Sequence, residues 1–442
     1  MRPPGLSAAN LTAADRRRIG PLLWPVIFAG LLATITLPLT LAAAETVAEA
    51  TPAAAESAEL SADGGLDLPA VVDAALARDP AAAVVDARRE EARLLEARAG
   101  SLLAGDVALA LRWQDSGPLG RSGIRETEGG VELPIWRLGQ RDAAARLAAG
   151  SKAQRDAEGQ SRELRVAGEV REALWAVAIA RVRVAVADAA LDAARRLEAA
   201  VQRRIAVGDQ AAADEIPARD WRLDREARRQ EADIVRVHAE LDYRLLTGLD
   251  RLPAAFTEAV GQPRADGGNP LLAPLAAQLA RARAETEFAR RSRGGNPRLT
   301  LGARNELGGP DNGNVASIGV GISIPLGITA ASRAPEAAAA VAAAQAESEL
   351  ALAERRYQYL HHEAEHEFEA ATEARDRLRQ RAALAERELA HAAKAFAVGE
   401  IGLAERLLTE TRARGVLGDA AAAELEHGRA IARLNQILGV MP

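Results

Sequence analysis

The feature that most constrains this chain is a segment that occurs twice, at a constant offset of 191 residues. In the first copy an apolar run at 131–134 precedes about 70 residues that contain no proline and few glycines, and a turn, Ala-Val-Gly-Asp, follows at 206–209. The second copy has the turn Ala-Val-Gly-Glu at 397–400. An offset that stays fixed over so long a stretch indicates one structural unit, duplicated without insertions or deletions.

The proline-free stretch predicts a single helix of exceptional length. Seventy residues of α-helix span roughly 105 Å, several times the usual helix length, so such a helix must pack side by side with others. Two small apolar residue types recur at intervals of seven, which predicts closely packed helices with a left-handed supercoil. These residues are Val170, Val177, Val184 and Leu191 in one series, and Ala173, Ala180, Ala187 and Ala194 in the other.

Composition excludes several classes of function. Aromatic residues make up 3% of the chain and the formal net charge is −6, with both signs interleaved, so no basic face indicates a nucleic-acid partner. Cysteine is absent. Disulfides, thiolate metal sites, cysteine nucleophiles and a lipid-modified N-terminal cysteine are therefore excluded.

The first 44 residues are typical of a secretory signal peptide. Three arginines at 16–18 precede an apolar run at 22–43, and alanines at 42–44 provide a small-residue cleavage site. The apolar run is also long enough to stay as an uncleaved membrane anchor, and this alternative remains open. Residues 45–67 are rich in alanine, glutamate, serine and proline, which predicts a disordered lead-in.

The mature chain divides into two repeats joined by a short linker. The first repeat, 68–250, begins with a helix at about 68–103 that Asp79 and Pro80 interrupt. A linker at 251–268 leads to the second repeat, 269–442, whose first helix ends near Arg293. Each repeat then contains a β-hairpin, a long helix, a glycine turn and a return helix.

Each hairpin shows the alternation of apolar and polar residues expected of strands with two different faces. The strands are long enough to cross an outer membrane when tilted. A soluble hairpin packed on a helix would show the same apolar face, but the long helices cannot wrap the strands. The apolar series are Val107, Leu109, Leu111 and Trp113; Leu299, Leu301 and Ala303; and Ile318, Val320, Ile322 and Ile324.

The predicted four strands per chain require that several chains assemble. Four strands cannot close a barrel, and open sheet edges are not tolerated in hydrocarbon. The strands must therefore close with those of identical chains, which gives eight strands from two chains or twelve from three.

The order of these elements resembles the TolC family of outer-membrane efflux proteins over essentially all of residues 68–440. The paired turns at 206–209 and 397–400, and the returning strands that end in Leu-Pro and Ile-Pro at 133–134 and 324–325, carry the resemblance most specifically. Within the family, the sequences Gly-Asn-Pro-Arg-Leu at 295–299 and Leu-Gly-Gln-Arg at 138–141 are most similar to the heavy-metal resistance (CzcC-like) branch.

The resemblance implies a mainly α fold with a small β part. It implies a homotrimer in the outer membrane of a Gram-negative bacterium, with a 12-stranded β-barrel continued by an α-helical barrel across the periplasm. Such a duct is passive, not an enzyme, and has no cofactor. It exports small molecules or metal ions, with a periplasmic adaptor (membrane fusion) protein, an inner-membrane pump and outer-membrane lipid as partners. A periplasmic coiled-coil scaffold without a pore is the alternative.

Four residues are candidate functional residues of such a duct. Gly208 and Gly399 permit the positive φ that a helix end requires, and we expect them at the periplasmic docking tips. By the resemblance, acidic residues just past the second turn narrow the pore, which points to Glu405 and its first-repeat equivalent Asp214. Leu408 stands where a second acid is expected, and an exposed carboxylate at a helix start is the plainer interpretation.

A zinc-protease pattern, His-Glu-Ala-Glu-His at 362–366, is rejected as a catalytic site. No third ligand follows at a usual spacing, and the equivalent segment at 171–175 has no ligand pair. Loose metal binding by His361, His362 and His366 stays open. The arginines at 162, 165 and 171 alternate with glutamates and are predicted to lie on solvated faces with i,i+4 partners.

Overall fold

The computed structural model describes residues 59–115, 123–262, 268–308, 313–327 and 329–442. The predicted signal peptide and the first part of the lead-in lie outside these residues, as do parts of both hairpin loops and of the linker. In the first repeat the elements are β1 (Ser61–Asp63), α1 (Leu68–Arg78), α2 (Ala82–Gly100), β2 (Ala108–Asp115), β3 (Arg125–Pro134), α3 (Gln140–Ala206) and α4 (Glu215–Thr247). They continue with β4 (Arg251–Pro253), α5 (Ala273–Arg291), β5 (Arg298–Leu307), β6 (Asn314–Ser323), α6 (Ala330–Ala397) and α7 (Leu403–Leu438).

The duplication is visible in where the helices end. The long helices α3 and α6 contain 67 and 68 residues, so each is about 100 Å long. They end at Ala206 and Ala397, 191 residues apart, and the return helices α4 and α7 end at Thr247 and Leu438, also 191 apart. Both return helices stop at a left-handed glycine, which releases the chain from the helix without a Cβ clash.

The predicted seam of α3 is confirmed. Five of the eight residues in the two series are buried: Val170, Val177, Leu191, Ala180 and Ala194. The other three, Val184, Ala173 and Ala187, are partly buried. Helix α3 packs along α2, α4, α5 and α7, while α6 packs along α5 and α7. Among the residues that the structure describes, no helix combines the length and apolar character needed to cross a membrane.

The four long strands form one antiparallel sheet in the order β2-β3-β5-β6. The two hairpins are joined through β3 and β5, where Val131 lies opposite Leu301. Strands β2 and β6 are the outer strands, with one neighbour each in the described chain. Both edges of the sheet are thus available to another chain.

The expectation of disorder is wrong for the last part of the lead-in. Ser61–Asp63 pair in parallel with Arg251–Pro253, in the segment predicted as linker. Leu60 is buried in a cluster with residues of α1 and α3, and Tyr243 donates a hydrogen bond to the carbonyl of Arg251 at 2.8 Å. The burial of Leu60 and the paired backbone groups fix the segment.

The prediction that all three arginines lie on solvated faces is also wrong. Arg171 is 3% exposed; it donates to both carboxylate oxygens of Glu258, at 2.8 and 2.6 Å, and to the carbonyl of Val440 at 2.9 Å. Arg162 donates to Asp79 at 2.7 Å. Only Arg165 makes the expected i,i+4 bond, and it also contacts Asp79.

Asp79 joins α1 and α3 because it stays charged. Burial alone would raise the pKa of its carboxyl group, but hydrogen bonds from the Ala81 amide and Arg162, with the charge of Arg165, hold the pKa below its usual value. Asp79 therefore lies at the predicted helix interruption and also connects the end of α1 to α3 through Arg162 and Arg165.

We expect Arg171→Met to lower the melting temperature of the purified protein, since it leaves the Glu258 carboxylate buried without its bidentate partner. Removing one partner of a buried ion pair costs about 3 kcal/mol. Arg93→Met is the control, because Arg93 pairs with Glu90 on an exposed surface and its loss should change the melting temperature little. Equal effects of the two substitutions would contradict a stabilising role for the Arg171 contacts.

Candidate functional site: an exposed sheet and two helix tips

One face of the four-stranded sheet is aliphatic and exposed. Paired residues form rows across the strands, such as Leu109, Val131, Leu301 and Val320. Each of these four is more than a third exposed, and Ile318 in the next row is 90% exposed. A continuous apolar face of this size on a soluble monomer is unusual and marks a surface that contacts lipid or protein.

The opposite face of the same sheet is charged. Arg304 pairs with Glu126 at 2.6 Å across β5 and β3, and Arg298 pairs with Glu132 at 3.3 Å. These ion pairs follow the strand alternation, so the sheet has one apolar and one hydrophilic side. That division is typical of strands that separate lipid from a water-filled lumen.

Glycines cross the middle of the charged face. Gly130 lies opposite Gly302, which lies opposite Gly319. A Cβ at Gly130 would come within 3.0 Å of the carbonyl oxygen of Leu301, and one at Gly302 within 3.0 Å of that of Gly129. Glycine at such positions permits close backbone approach and sheet bending, so this row lets the charged face become the concave one.

The two sequences that carry the branch resemblance contact each other at the base of the sheet. Gln140 is 1% exposed; its side-chain oxygen accepts from Asn296 at 2.8 Å, and its amide donates to Ser292 at 2.9 Å. Asn296 also donates to the carbonyl of Ile135 at 3.1 Å. This contact joins the hairpins of both repeats to the start of α3, and nothing in the sequence indicated that these positions meet.

Gly208 and Gly399 have the geometry expected of helix ends. Their φ values are 79° and 80°. Equivalent hydrogen bonds follow both glycines: the Asp209 amide donates to the Arg204 carbonyl, and the Glu400 amide donates to the Ala395 carbonyl, both at 2.9 Å. A Cβ at either glycine would meet no atom within 4 Å. The backbone conformation, not space, therefore requires glycine.

The two tips pack against each other. The Arg204 guanidinium lies 5.0 Å from the ring centroid of Phe396 and donates to its carbonyl at 2.8 Å. Trp221 of α4 donates to Thr411 of α7 at 3.2 Å. Val207 and Val398, just before the two glycines, are 78% and 73% exposed. The tips thus present a pair of apolar side chains at the end of a packed helical unit.

The structure places Asp214 and Glu405 at equivalent positions, each at the start of a return helix. Glu405 is exposed in the first turn of α7, while Asp214 is partly buried and accepts from Gln210 at 3.1 Å. Leu408 is 70% exposed. One chain does not define a pore axis, so the constriction stays a prediction.

Sequence reasoning missed a buried ion cluster next to Glu405. Glu410 is 4% exposed; it accepts from Arg406 and, at 2.7 Å, from Arg414. Arg406 also donates to the carbonyl of Leu389 on α6 at 3.0 Å. The i,i+4 spacing of these residues was the available signal, but such spacing is equally typical of exposed helix surfaces.

The histidine motif forms no complete metal site among the described residues. The Nε2 atoms of His362 and His366 lie 3.1 Å apart on an exposed part of α6. His361 lies 3.5 Å from the carboxylate of Glu365. Two neighbouring imidazoles on an open helix surface give no shaped, dry cavity of the kind a catalytic zinc needs.

Comparison with solved structures identifies the fold. The chain is similar to VceC, an outer membrane protein of Vibrio cholerae, with a TM-score of 0.67 at 16% identity, over 84% of this chain and 96% of that one. It is similar to the CmeC outer membrane channel of Campylobacter jejuni (TM-score 0.68, 14% identity, 84% and 85% covered). The open-state MtrE outer membrane channel of Neisseria gonorrhoeae matches with a TM-score of 0.62 at 20% identity, over 84% and 89%.

These matches confirm the fold that the resemblance to the TolC family predicted. The chain is mainly α with a four-stranded sheet and has the fold of these outer membrane proteins. No protein-family model matches the sequence, and a search of curated proteins finds no significant match.

We expect Gly208→Val to disrupt the turn at the end of α3 and Gly208→Asn to preserve it. Valine at positive φ is strained by about 1–2 kcal/mol, whereas asparagine tolerates this conformation. Trypsin can report the difference, because Arg203 and Arg204 directly precede the turn. Faster cleavage there in the valine variant alone is the expected result. Equal cleavage of both variants would show that the left-handed conformation does not hold the tip.

Proposed function

We propose that this protein is the outer-membrane channel of an efflux system, a passive trimeric duct that carries small molecules or metal ions across the periplasm and outer membrane. The observation that carries the proposal is the sheet, whose apolar face is exposed, whose other face is charged, and whose two edges are open. Such a sheet is stable in a bilayer only if neighbouring copies close it. The similar structures CmeC and MtrE are outer membrane channels.

The helices support assembly with identical chains. Helix α6 has an exposed apolar series at 341, 352, 359 and 384, each more than half exposed. Successive helical residues are about 100° apart, so intervals of 11, 7 and 25 place all four on one stripe. The exposed series of α4, Ile216, Leu223, Ile234 and Leu245, has intervals of 7, 11 and 11 and forms a stripe of the same kind.

We infer that these two stripes meet at the joint between neighbouring chains. Helix α6 buries few of its residues within its own chain, namely Ala346, Ala364, Ala385 and Phe396. Helix α4 carries the other unpartnered stripe, and a ring of chains would bring α4 of one copy beside α6 of the next. Three copies then give twelve strands, the number that the resemblance implies.

The tips are the proposed docking surface for a periplasmic adaptor protein, which would connect the duct to an inner-membrane pump. Val207 and Val398 are exposed there, and α3 extends about 100 Å along the molecule from the sheet to Gly208. A surface this far from the sheet lies deep in the periplasm if the sheet is in the outer membrane. Apolar side chains on a rigid support suit a helical partner.

A pair of adjacent residues tests the membrane position of the sheet. Ile318→Lys places a charge on the apolar face, which costs about 2–4 kcal/mol in a bilayer midplane. Ser317→Lys places the same charge on the opposite face and is the matched control. We expect only the first to reduce recovery of trimer from the outer-membrane fraction of a sucrose gradient.

A soluble scaffold gives the opposite outcome. If the sheet never enters lipid, a lysine at Ile318 improves solubility and changes nothing else. A wild-type protein that fractionates with the periplasm, or runs as a monomer by light scattering in detergent, would also exclude the channel.

Ion selectivity at the periplasmic entrance of the duct tests the predicted roles of Glu405 and Asp214. We propose that Glu405, with Asp214 nearby, becomes a ring of carboxylates in the trimer and favours cations by electrostatic attraction. Glu405→Gln should lower the cation preference measured from single-channel reversal potentials in a salt gradient. Glu231→Gln, at an exposed site in the middle of α4, is the control. Equal small effects would make Glu405 an ordinary helix-start carboxylate.

A further inference from the structure

A cavity of about 410 Å³ lies between α3, α4 and α7, away from the sheet and bordering the helices behind the tips. Its α3 wall is aliphatic and includes Val182, Val186 and Ala190. On the α7 side, a Cβ added at Gly415 would meet no atom within 4 Å, so this glycine faces open space. A volume of this size is in the range of ligand sites, roughly 300–1,000 Å³.

The polar part of the cavity wall is strongly cationic. Four guanidinium groups line it, against a single lining carboxylate, that of Asp419. The arginines come from all three helices: Arg183 from α3, Arg225 and Arg228 from α4, and Arg414 from α7. Three separate helices thus contribute arginines to the lining of one cavity.

Neighbouring carboxylates do not balance these charges. Asp224 is shared by two of the arginines, at 2.8 and 3.1 Å, and Glu410 is shared by Arg414 and Arg406. Together with Asp419, three carboxylates face five guanidinium groups. These groups therefore carry two more positive than negative charges, and the aliphatic wall beside them offers no hydrogen-bond acceptor.

Arg225 is the least satisfied of these groups. Its side chain is 14% exposed, and its Nε atom is buried with no hydrogen-bond partner in the described protein. The guanidinium lies 5.6 Å from the centroid of the Trp221 ring, which limits its movement. Burial lowers the pKa of Arg225; Asp224 opposes this effect, and the charges of Arg228 and Arg414 add to it.

We propose that this cavity binds a small organic anion with an apolar body. Its carboxylate or sulfonate group accepts from Arg225 and Arg228, because a planar guanidinium matches such groups with paired hydrogen bonds. Its hydrocarbon part packs against Val182 and Val186. The site belongs to a single chain and does not depend on the duct being an exporter.

Equilibrium dialysis of the purified full-length protein tests the proposal with 2-naphthalenesulfonate as the probe. Micelles of the same detergent without protein provide the blank. Two variants alter the site independently: Arg225→Gln removes a charge, and Gly415→Leu fills the space. The matched controls are Arg219→Gln on an exposed part of α4, and Gly159→Leu on α3, where a Cβ also meets nothing within 4 Å.

The expected result is saturable binding of one probe per chain, weakened at least tenfold in Arg225→Gln and Gly415→Leu and unchanged in both controls. Arg228→Gln, at a side chain 61% exposed, replaces Arg225→Gln if the latter does not fold. Absence of saturable binding, or equal binding to the cavity variants and the controls, would overturn the proposal. If the neutral 2-naphthalenemethanol binds as tightly as 2-naphthalenesulfonate, the arginines do not recognise an anion. If inorganic sulfate displaces the probe as well as unlabelled 2-naphthalenesulfonate does, the apolar wall contributes nothing. Either result would contradict the proposal.

Discussion

The structure depends on the requirement that backbone hydrogen-bonding groups be satisfied wherever water is absent. Among the residues that the structure describes, the sheet ends at β2 on one side and at β6 on the other, and each leaves a row of amides and carbonyls without a strand beside it. An exposed aliphatic face directs this sheet toward lipid, where such edges are costly. Assembly of several chains would resolve the conflict, which is the physical reason for proposing a trimer.

The two duplicated long helices, α3 and α6, differ in how far neighbouring helices of the same chain cover their side chains. Helix α3 is buried along much of its length by four neighbours of its own chain, whereas α6 leaves most of its residues exposed. The repeats keep the same turns and helix ends but differ in what covers them. The first copy supplies much of the buried core of the chain, and the second supplies the exposed surface that we propose for assembly.

The sequence was sufficient for features that depend on local pattern. Alternation predicted the two faces of the sheet, the heptad series predicted the seam of α3, and the glycines at 208 and 399 predicted positive φ. Features that depend on distant partners were missed. By sequence Arg171 cannot be told from the exposed Arg165, because its partners Glu258 and Val440 are distant in the chain. Residues 61–63 likewise pair with a segment 190 positions away. The role of Glu405 depends on other chains and stays a prediction.

The pairing of β3 with β5 has a consequence for how the protein reaches its final state. These strands are separated in sequence by α3, α4 and α5, so their contact closes a very long loop and we expect it to form late during folding. A late contact would leave two separate hairpins with exposed aliphatic faces, which are prone to aggregate. We expect folding of this protein to require a chaperone that shields the hairpins until the helices have brought them together.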